Sequence, residues 1–130
     1  MRPMQKTIIV VEDEPDTAEM FAEMMRIAGY RVLHSYSGAQ ALNMITREKP
    51  AAVLLDLMMP DVSGIEVLKF MRRDPRLADI PVIVVSAKIL PEDVKMGIEA
   101  GATVYLTKPV AFKDLKQAVE RWTGLQDAQE

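Results

Sequence analysis

The 130-residue sequence predicts an α/β fold, with a parallel sheet wound between two helical layers. Three observations carry that reading. Its short apolar runs are continuous rather than alternating, as strands covered on both faces are. Amphipathic segments separate and follow them, so strand and helix alternate five times. Charged residues end three of the runs, at the edge where an open α/β sheet keeps its ligands.

The first strand is Thr7 to Val11 and, as the most apolar, is expected at the centre. Pro15 opens the first helix, where its missing amide donor costs nothing. Ala18, Phe21, Ala22, Met25 and Ala28 share one face of that helix, and Gly29 ends it. Arg31 to Ser35 alternates charge and aliphatic and reads as an edge strand. A second helix spans Ser37 to Arg47, with Ala41, Leu42 and Ile45 inward and Pro50 beyond its end.

Ala52 to Leu55 is the next buried strand. Gly64 to Arg73 follows as a helix burying Ile65, Leu68 and Met71, broken by Asp74-Pro75. Pro81 to Ser86 and Thr103 to Leu106 are the remaining strands. Between them Glu92 to Ala100 is a weaker helix, interrupted by Gly97 and closed by Gly101. Phe112 to Trp122 is the last helix, with Leu115, Val119 and Trp122 spaced for one face. One domain is expected over residues 1–130, with a core at about 6–123 and loose tails at Met1–Lys6 and Gly124–Glu130.

Composition excludes several function classes. A net charge of −3 points to no direct nucleic-acid or anionic-membrane partner. The absence of cysteine removes disulfides, thiolate metal sites and a cysteine nucleophile. No apolar stretch reaches the about 20 residues that span a bilayer, and Met1 to Lys6 lacks the apolar core of a signal peptide. A soluble cytoplasmic domain is the expectation.

Glu12-Asp13-Glu14 follows the first strand, Asp56 the third and Lys108 the last. In a doubly wound sheet these ends meet at one edge, where close carboxylates repel one another unless a cation neutralises them. A hard oxygen cluster without His or Cys favours magnesium or calcium, and magnesium also takes phosphate oxygens. Asp56 has a further capacity: a carboxylate can attack phosphorus and form an aspartyl phosphate. Lys108 is the cation for the charge on the transferred oxygens, and Ser86 can offer them a hydroxyl.

Five motifs stand in a characteristic order: Val11-Glu12-Asp13-Glu14-Pro15, Leu55-Asp56-Leu57-Met58-Met59-Pro60-Asp61 with Gly64, Ser86-Ala87, Gly101-Ala102, and Tyr105-Leu106-Thr107-Lys108-Pro109. Together they resemble the receiver domains of two-component response regulators, over nearly the whole chain. The resemblance implies a flavodoxin-like sheet ordered 2-1-3-4-5 with five helices. It implies that Asp56 accepts a phosphoryl group from a histidine kinase's phosphohistidine. Asp13, Asp56 and the Met58 backbone carbonyl would ligate Mg²⁺, with Glu12 acting through water. Lys108 would pair with the phosphoryl group, and its bond to Pro109 is expected to be cis. Ser86 and Tyr105 would form the switch, moving the surface of the fourth helix, fifth strand and fifth helix.

That surface, carrying Lys95, Glu99, Lys113, Lys116 and Glu120, is the expected partner or dimer face. The implied partners are a sensor histidine kinase or phosphotransfer protein, a downstream output protein or domain, and a second copy on phosphorylation. The chain departs little from the pattern. Its acidic pair is Glu-Asp where many members have Asp-Asp, Ser86 replaces the commoner Thr, and Val110 stands where Phe is frequent.

Other residues invite blander readings. His34, the sole histidine, is expected to be an incidental surface residue. Met20, Met24 and Met25 fall at helical spacing as adaptable core filler. Met58 and Met59 share a loop that exposes at least one of them. Arg72, Arg73 and Arg76 read as a solvated basic face. Two other functions compete. A phosphohydrolase of the haloacid-dehalogenase type would need an acid two residues after its nucleophile, and that position is Met58. A constitutive binding platform would have lost an acidic, lysine or hydroxyl position, and all are present. The favoured expectation is a signalling switch that assists its own phosphorylation and dephosphorylation, not a turnover enzyme.

Overall fold

A computed structural model describes residues 5–124; of the expected loose tails Met1–Lys6 and Gly124–Glu130, residues 1–4 and 125–130 lie outside the described residues, whereas Gln5 and Lys6 are tied by side-chain hydrogen bonds to Gly29 and Thr123. The chain runs β1 Thr7–Val11, α1 Pro15–Ile27, β2 Arg31–Ser35, α2 Gly38–Glu48, β3 Ala52–Leu55, α3 Gly64–Arg73, β4 Val82–Ser86, α4 Pro91–Ala100, β5 Val104–Thr107 and α5 Phe112–Thr123. All strand pairs are parallel, in the order β2-β1-β3-β4-β5. The doubly wound, flavodoxin-like class is thus the observed one. The centre belongs to β3 rather than β1, because the chain adds β2 on one side of β1 and every later strand on the other.

Continuous apolar strands bury both faces because successive side chains point opposite ways. Ile9, Val11, Val53, Leu55, Val82 and Val84 meet Ala41 and Ile45 of α2 and Val67, Leu68 and Met71 of α3. Ile8, Val10, Leu54, Ile83 and Val85 meet Phe21 and Met25 of α1 and Leu115 and Val119 of α5. Fully burying one such side chain stabilises by about 1.5–3 kcal/mol, so these two layers dominate the fold's energetics.

Several residues depart from their sequence assignments. Trp122 is 45% exposed, and Thr123 takes the inward position near the end of α5. Met20 is also exposed, one step off the buried stripe of Ala18, Phe21, Ala22 and Met25. His34 is half-buried with its ring 4.2 Å from that of Tyr36, and its Nε2 is buried without a partner among the described residues. Glu120 is buried, with Lys116 Nζ 3.7 Å from its carboxylate, so it does not belong to an exposed partner face.

Arg72 is not on a solvated face. Its guanidinium donates to the carbonyls of Gly101 at 3.0 Å, Ala78 at 2.9 Å and Ile80 at 2.8 Å, tying the end of α3 to the turn after α4. Arg76, by contrast, chelates Asp74 in solvent and helps hold that carboxyl down at about 2, through its side-chain and backbone hydrogen bonds.

The edge opposite the acidic strand ends is closed by side chains. Lys6 Nζ donates to the Thr123 carbonyl, and the Tyr30 hydroxyl pairs with Thr123 Oγ1 at 2.8 Å. Burial pushes the Tyr30 phenol above its ordinary pKa, against a lowering by that hydrogen bond. α4 is the least embedded helix. Only Gly97 of it is buried, and Leu90 caps it without a side-chain hydrogen bond.

Candidate functional site

The backbone ladder runs one residue past the strands and so places the site. Glu12 N–H donates to Ser35 O at 3.0 Å, Asp56 N–H to Val11 O at 3.0 Å, and Lys108 N–H to Ser86 O at 2.9 Å. Each side chain that follows a strand is thereby fixed beside its neighbour's. The parallel register of β1 with β3 brings Glu12, Asp13 and Asp56 together, one oxygen from each lying within 4.8 Å of the others.

Glu12 and Asp56 are buried, and Asp13 is half-buried. Lys108, which follows β5, reaches the same cluster. Its Nζ is 2.7 Å from Glu12 Oε1 and 3.6 Å from Asp56 Oδ2. One ammonium thus pairs with two of the three carboxylates, leaving a net negative site that suits a hard divalent cation. The donor set is all oxygen, which fits magnesium. The Lys108–Pro109 peptide bond is cis.

The loop after β3 is built around Asp56. Met58 N–H donates to Asp56 Oδ1 at 3.1 Å, while the Met58 side chain is half-exposed. Ser63 Oγ caps α3 through the Glu66 amide at 3.3 Å. Gly64 lets the helix end abut the backbone of Asp56 and Leu57, because a Cβ there would stand 2.6 Å from Asp56 O and Leu57 Cα.

Ser86 is wholly buried at the end of β4, and its Oγ accepts from Lys88 N–H at 3.1 Å. The hydroxyl proton is left for another acceptor. Tyr105 is half-exposed, and its hydroxyl donates to Lys88 O at 2.8 Å. The ring lies on Gly97, where a Cβ would be 2.8 Å from two ring carbons. Gly97, read from sequence as a weakness of the helix, is the seat of this ring.

Glu12, Asp13, Asp56, Ser86 and Lys108 thus stand at or just beyond strand ends on one sheet edge, with Met58 and Pro109 next to them in the loops, whereas Tyr105, the second residue of β5, meets Ser86 only through Lys88. Sequence reasoning missed Asp61, which organises the site's surroundings, and Arg72, which braces the opposite edge at the turns before β4 and β5. Asp61 accepts the amides of Gly38 and Ala39 at the start of α2, and nothing in the local sequence marks a partner 22 residues away. Arg72 did carry a signal: it lies four residues after Leu68, on the buried stripe of α3.

The family model for the response regulator receiver domain matches residues 8–120. The phosphate regulon transcriptional regulatory protein PhoB of Pseudomonas aeruginosa is 39% identical over 127 residues, which are 95% of this chain and 56% of that protein. The polar-differentiation response regulator DivK of Brucella ovis is 30% identical over 121 residues, covering 93% of this chain and 98% of DivK. Among solved structures, the receiver domain of a Pseudomonas aeruginosa sensor histidine kinase superposes with a TM-score of 0.87 at 30% identity, covering 93% of this chain and 99% of that one. That structure has a magnesium ion coordinated in its active-site cleft.

Proposed function

The chain belongs to the response regulator receiver domain family, and from that premise we propose that it is a phosphorylation-driven switch with Asp56 as the phosphoryl acceptor. The observation that carries this reading is the convergence of Asp56, Glu12, Asp13 and Lys108 at adjoining strand ends.

The donor is the phosphohistidine of a sensor histidine kinase or phosphotransfer protein. An Asp56 carboxylate oxygen attacks phosphorus, the P–N bond breaks, and its electron pair stays on the imidazole nitrogen. The product is an acyl phosphate on Asp56. Lys108 transfers its ammonium from the Glu12 and Asp56 carboxylates toward a phosphoryl oxygen, keeping the charge compensated as it develops. The buried Ser86 hydroxyl donates to another of those oxygens. Asp13, Asp56 and the Met58 carbonyl would hold Mg²⁺, with Glu12 through water; the ion supplies charge neutralisation on the phosphoryl oxygens.

Ser86 and Tyr105 meet at Lys88, one through its amide and the other through its carbonyl. A shift of the Ser86 hydroxyl toward phosphate therefore disturbs the residue that holds Tyr105. The ring moves inward from Gly97, and the sparsely packed α4 follows, with β5 and α5. The exposed Lys95, Glu99 and Lys113 belong to the face so altered, which addresses an output protein or domain, or a second copy. The protein assists its own phosphorylation and dephosphorylation without turning over a substrate pool, and works in the cytoplasm. No helix among the described residues is long and apolar enough to cross a membrane.

Incubation with Mg²⁺ and acetyl phosphate, read by intact mass, tests the proposal. A gain of one phosphoryl group in the unmodified chain and none in Asp56→Asn is the expected result. Phosphorylation that persists in Asp56→Asn, or none in either protein, overturns it.

A further inference from the structure

We propose that Asp61 is a positioning residue for the metal and phosphoryl site, anchoring from outside the loop that carries Asp56 and Met58. The inference rests on the receiver reading and deepens it. Both ends of that loop are tied to the acceptor strand or α3. Met58 N–H is bound to Asp56 Oδ1, and Gly64 N–H donates to Leu57 O at 3.1 Å. Its middle is anchored elsewhere. Asp61 Oδ1 accepts from Gly38 N–H at 3.1 Å and Oδ2 from Ala39 N–H at 3.2 Å.

The anchor is rigid. α2 is seated on the core by the wholly buried Ala41 and Ile45. Its first residue touches the loop directly, since a Cβ on Gly38 would lie 2.3 Å from the Val62 carbonyl oxygen. Two residues separate Asp61 from Met58, and one of them is Pro60, whose ring fixes φ and shortens the slack. Displacing Asp61 therefore displaces the Met58 carbonyl. Groups behind metal ligands commonly alter metal affinity by 10- to 100-fold when removed.

The helix itself supplies the control. Ser37 is the N-cap of α2 within its own chain segment, with Oγ accepting from Gln40 N–H at 3.1 Å. Ser37→Ala weakens the same helix end without releasing the loop. Mg²⁺ affinity, from calorimetric titration, and hydrogen exchange at the Met58 amide in metal-free protein are measured for the unmodified chain, Asp61→Ala, Asp61→Asn and Ser37→Ala.

The expected result is Mg²⁺ binding weakened on the order of tenfold in Asp61→Ala, with faster Met58 exchange. Asp61→Asn, which keeps one acceptor oxygen, recovers part of both, and Ser37→Ala changes neither. Equal affinity and exchange in Asp61→Ala and the unmodified chain overturn the proposal, as does an equal loss in Ser37→Ala. If the unmodified chain binds no Mg²⁺, the receiver reading falls instead. Met58 exchange then decides the anchoring role alone.

Discussion

The Tyr105 hydroxyl hydrogen-bonds the Lys88 carbonyl at 2.8 Å, and the Tyr105 ring rests where Gly97 has no side chain. An exposed helical Gly→Ala change ordinarily stabilises by about 1 kcal/mol. Here the new Cβ meets the ring, so Gly97→Ala is expected to give no gain in urea denaturation. The same change in a Tyr105→Ala background recovers the helix gain, a coupling of about 1 kcal/mol in the double-mutant cycle. Additive free energies would contradict the contact.

Arg72 is the next test. Arg72→Met keeps the aliphatic stem and removes the donors to Gly101, Ala78 and Ile80. Partly buried carbonyls left unpaired cost about 1–3 kcal/mol each, so a loss of about 2–4 kcal/mol in unfolding free energy is expected from urea denaturation. Arg72→Lys restores little, because one ammonium cannot span three acceptors as the guanidinium fork does.

At the acidic cluster the signs differ between partners. Lys108→Met leaves the Glu12 carboxylate, 3% exposed, without its cation, at a cost of about 3 kcal/mol in metal-free protein. Asp56→Asn removes one of three crowded carboxylates while keeping an acceptor for Met58 N–H. It is expected to stabilise metal-free protein by on the order of 1 kcal/mol. Mg²⁺ is expected to raise the Tm of the unmodified chain, through binding to the native state alone, and to raise that of Asp56→Asn less. Thermal unfolding with and without the ion checks all three.

His34 gives the fold a pH dependence of its own. Burial, the largest influence, holds its imidazole below the ordinary value of 6.5; Glu19 and Glu12 pull upward, and Arg26 acts downward. A histidine with a depressed folded pKa binds fewer protons folded than unfolded. Its contribution is therefore whole above 6.5 and is lost as pH falls through the lowered value. Denaturation midpoints between about pH 5 and 7 are expected to decline toward acid, and less steeply in His34→Gln.

Asp61 works at lower pH. The backbone amides of Ala39 and Gly38 hold its carboxyl below the ordinary 3.8. The stability it lends is complete above 3.8 and fades as pH drops through the lowered value. Acid unfolding is expected to begin at higher pH in Asp61→Ala, followed by circular dichroism.

What the sequence made legible was what repeats or lies close in the chain. The continuous apolar runs identified buried parallel strands, and the residues ending them marked the candidate site, because strand direction alone gathers those ends. The order of strands came from the resemblance, since no local signal states which strands are neighbours. Trp122 and Met20 were misplaced because a helical face read by period carries an error of one position, and an amphipathic side chain tolerates either side. The contacts of Arg72, Asp61 and Glu120 were illegible for another reason. Most join residues far apart in the chain or depend on tertiary burial, and composition around them looks like ordinary surface.

The parallel register has one more effect. Each helix starts at the edge where its preceding strand ends, so the positive ends of five peptide dipoles face the side of the sheet that holds Glu12, Asp13 and Asp56. The influence fades within a helical turn, which makes the nearest end, that of α1 at Pro15, the largest contributor. Part of the repulsion among the carboxylates is thus offset by the peptide backbone, and the same field favours an incoming anion. Connectivity supplies that field, so no side-chain substitution that preserves the fold removes it.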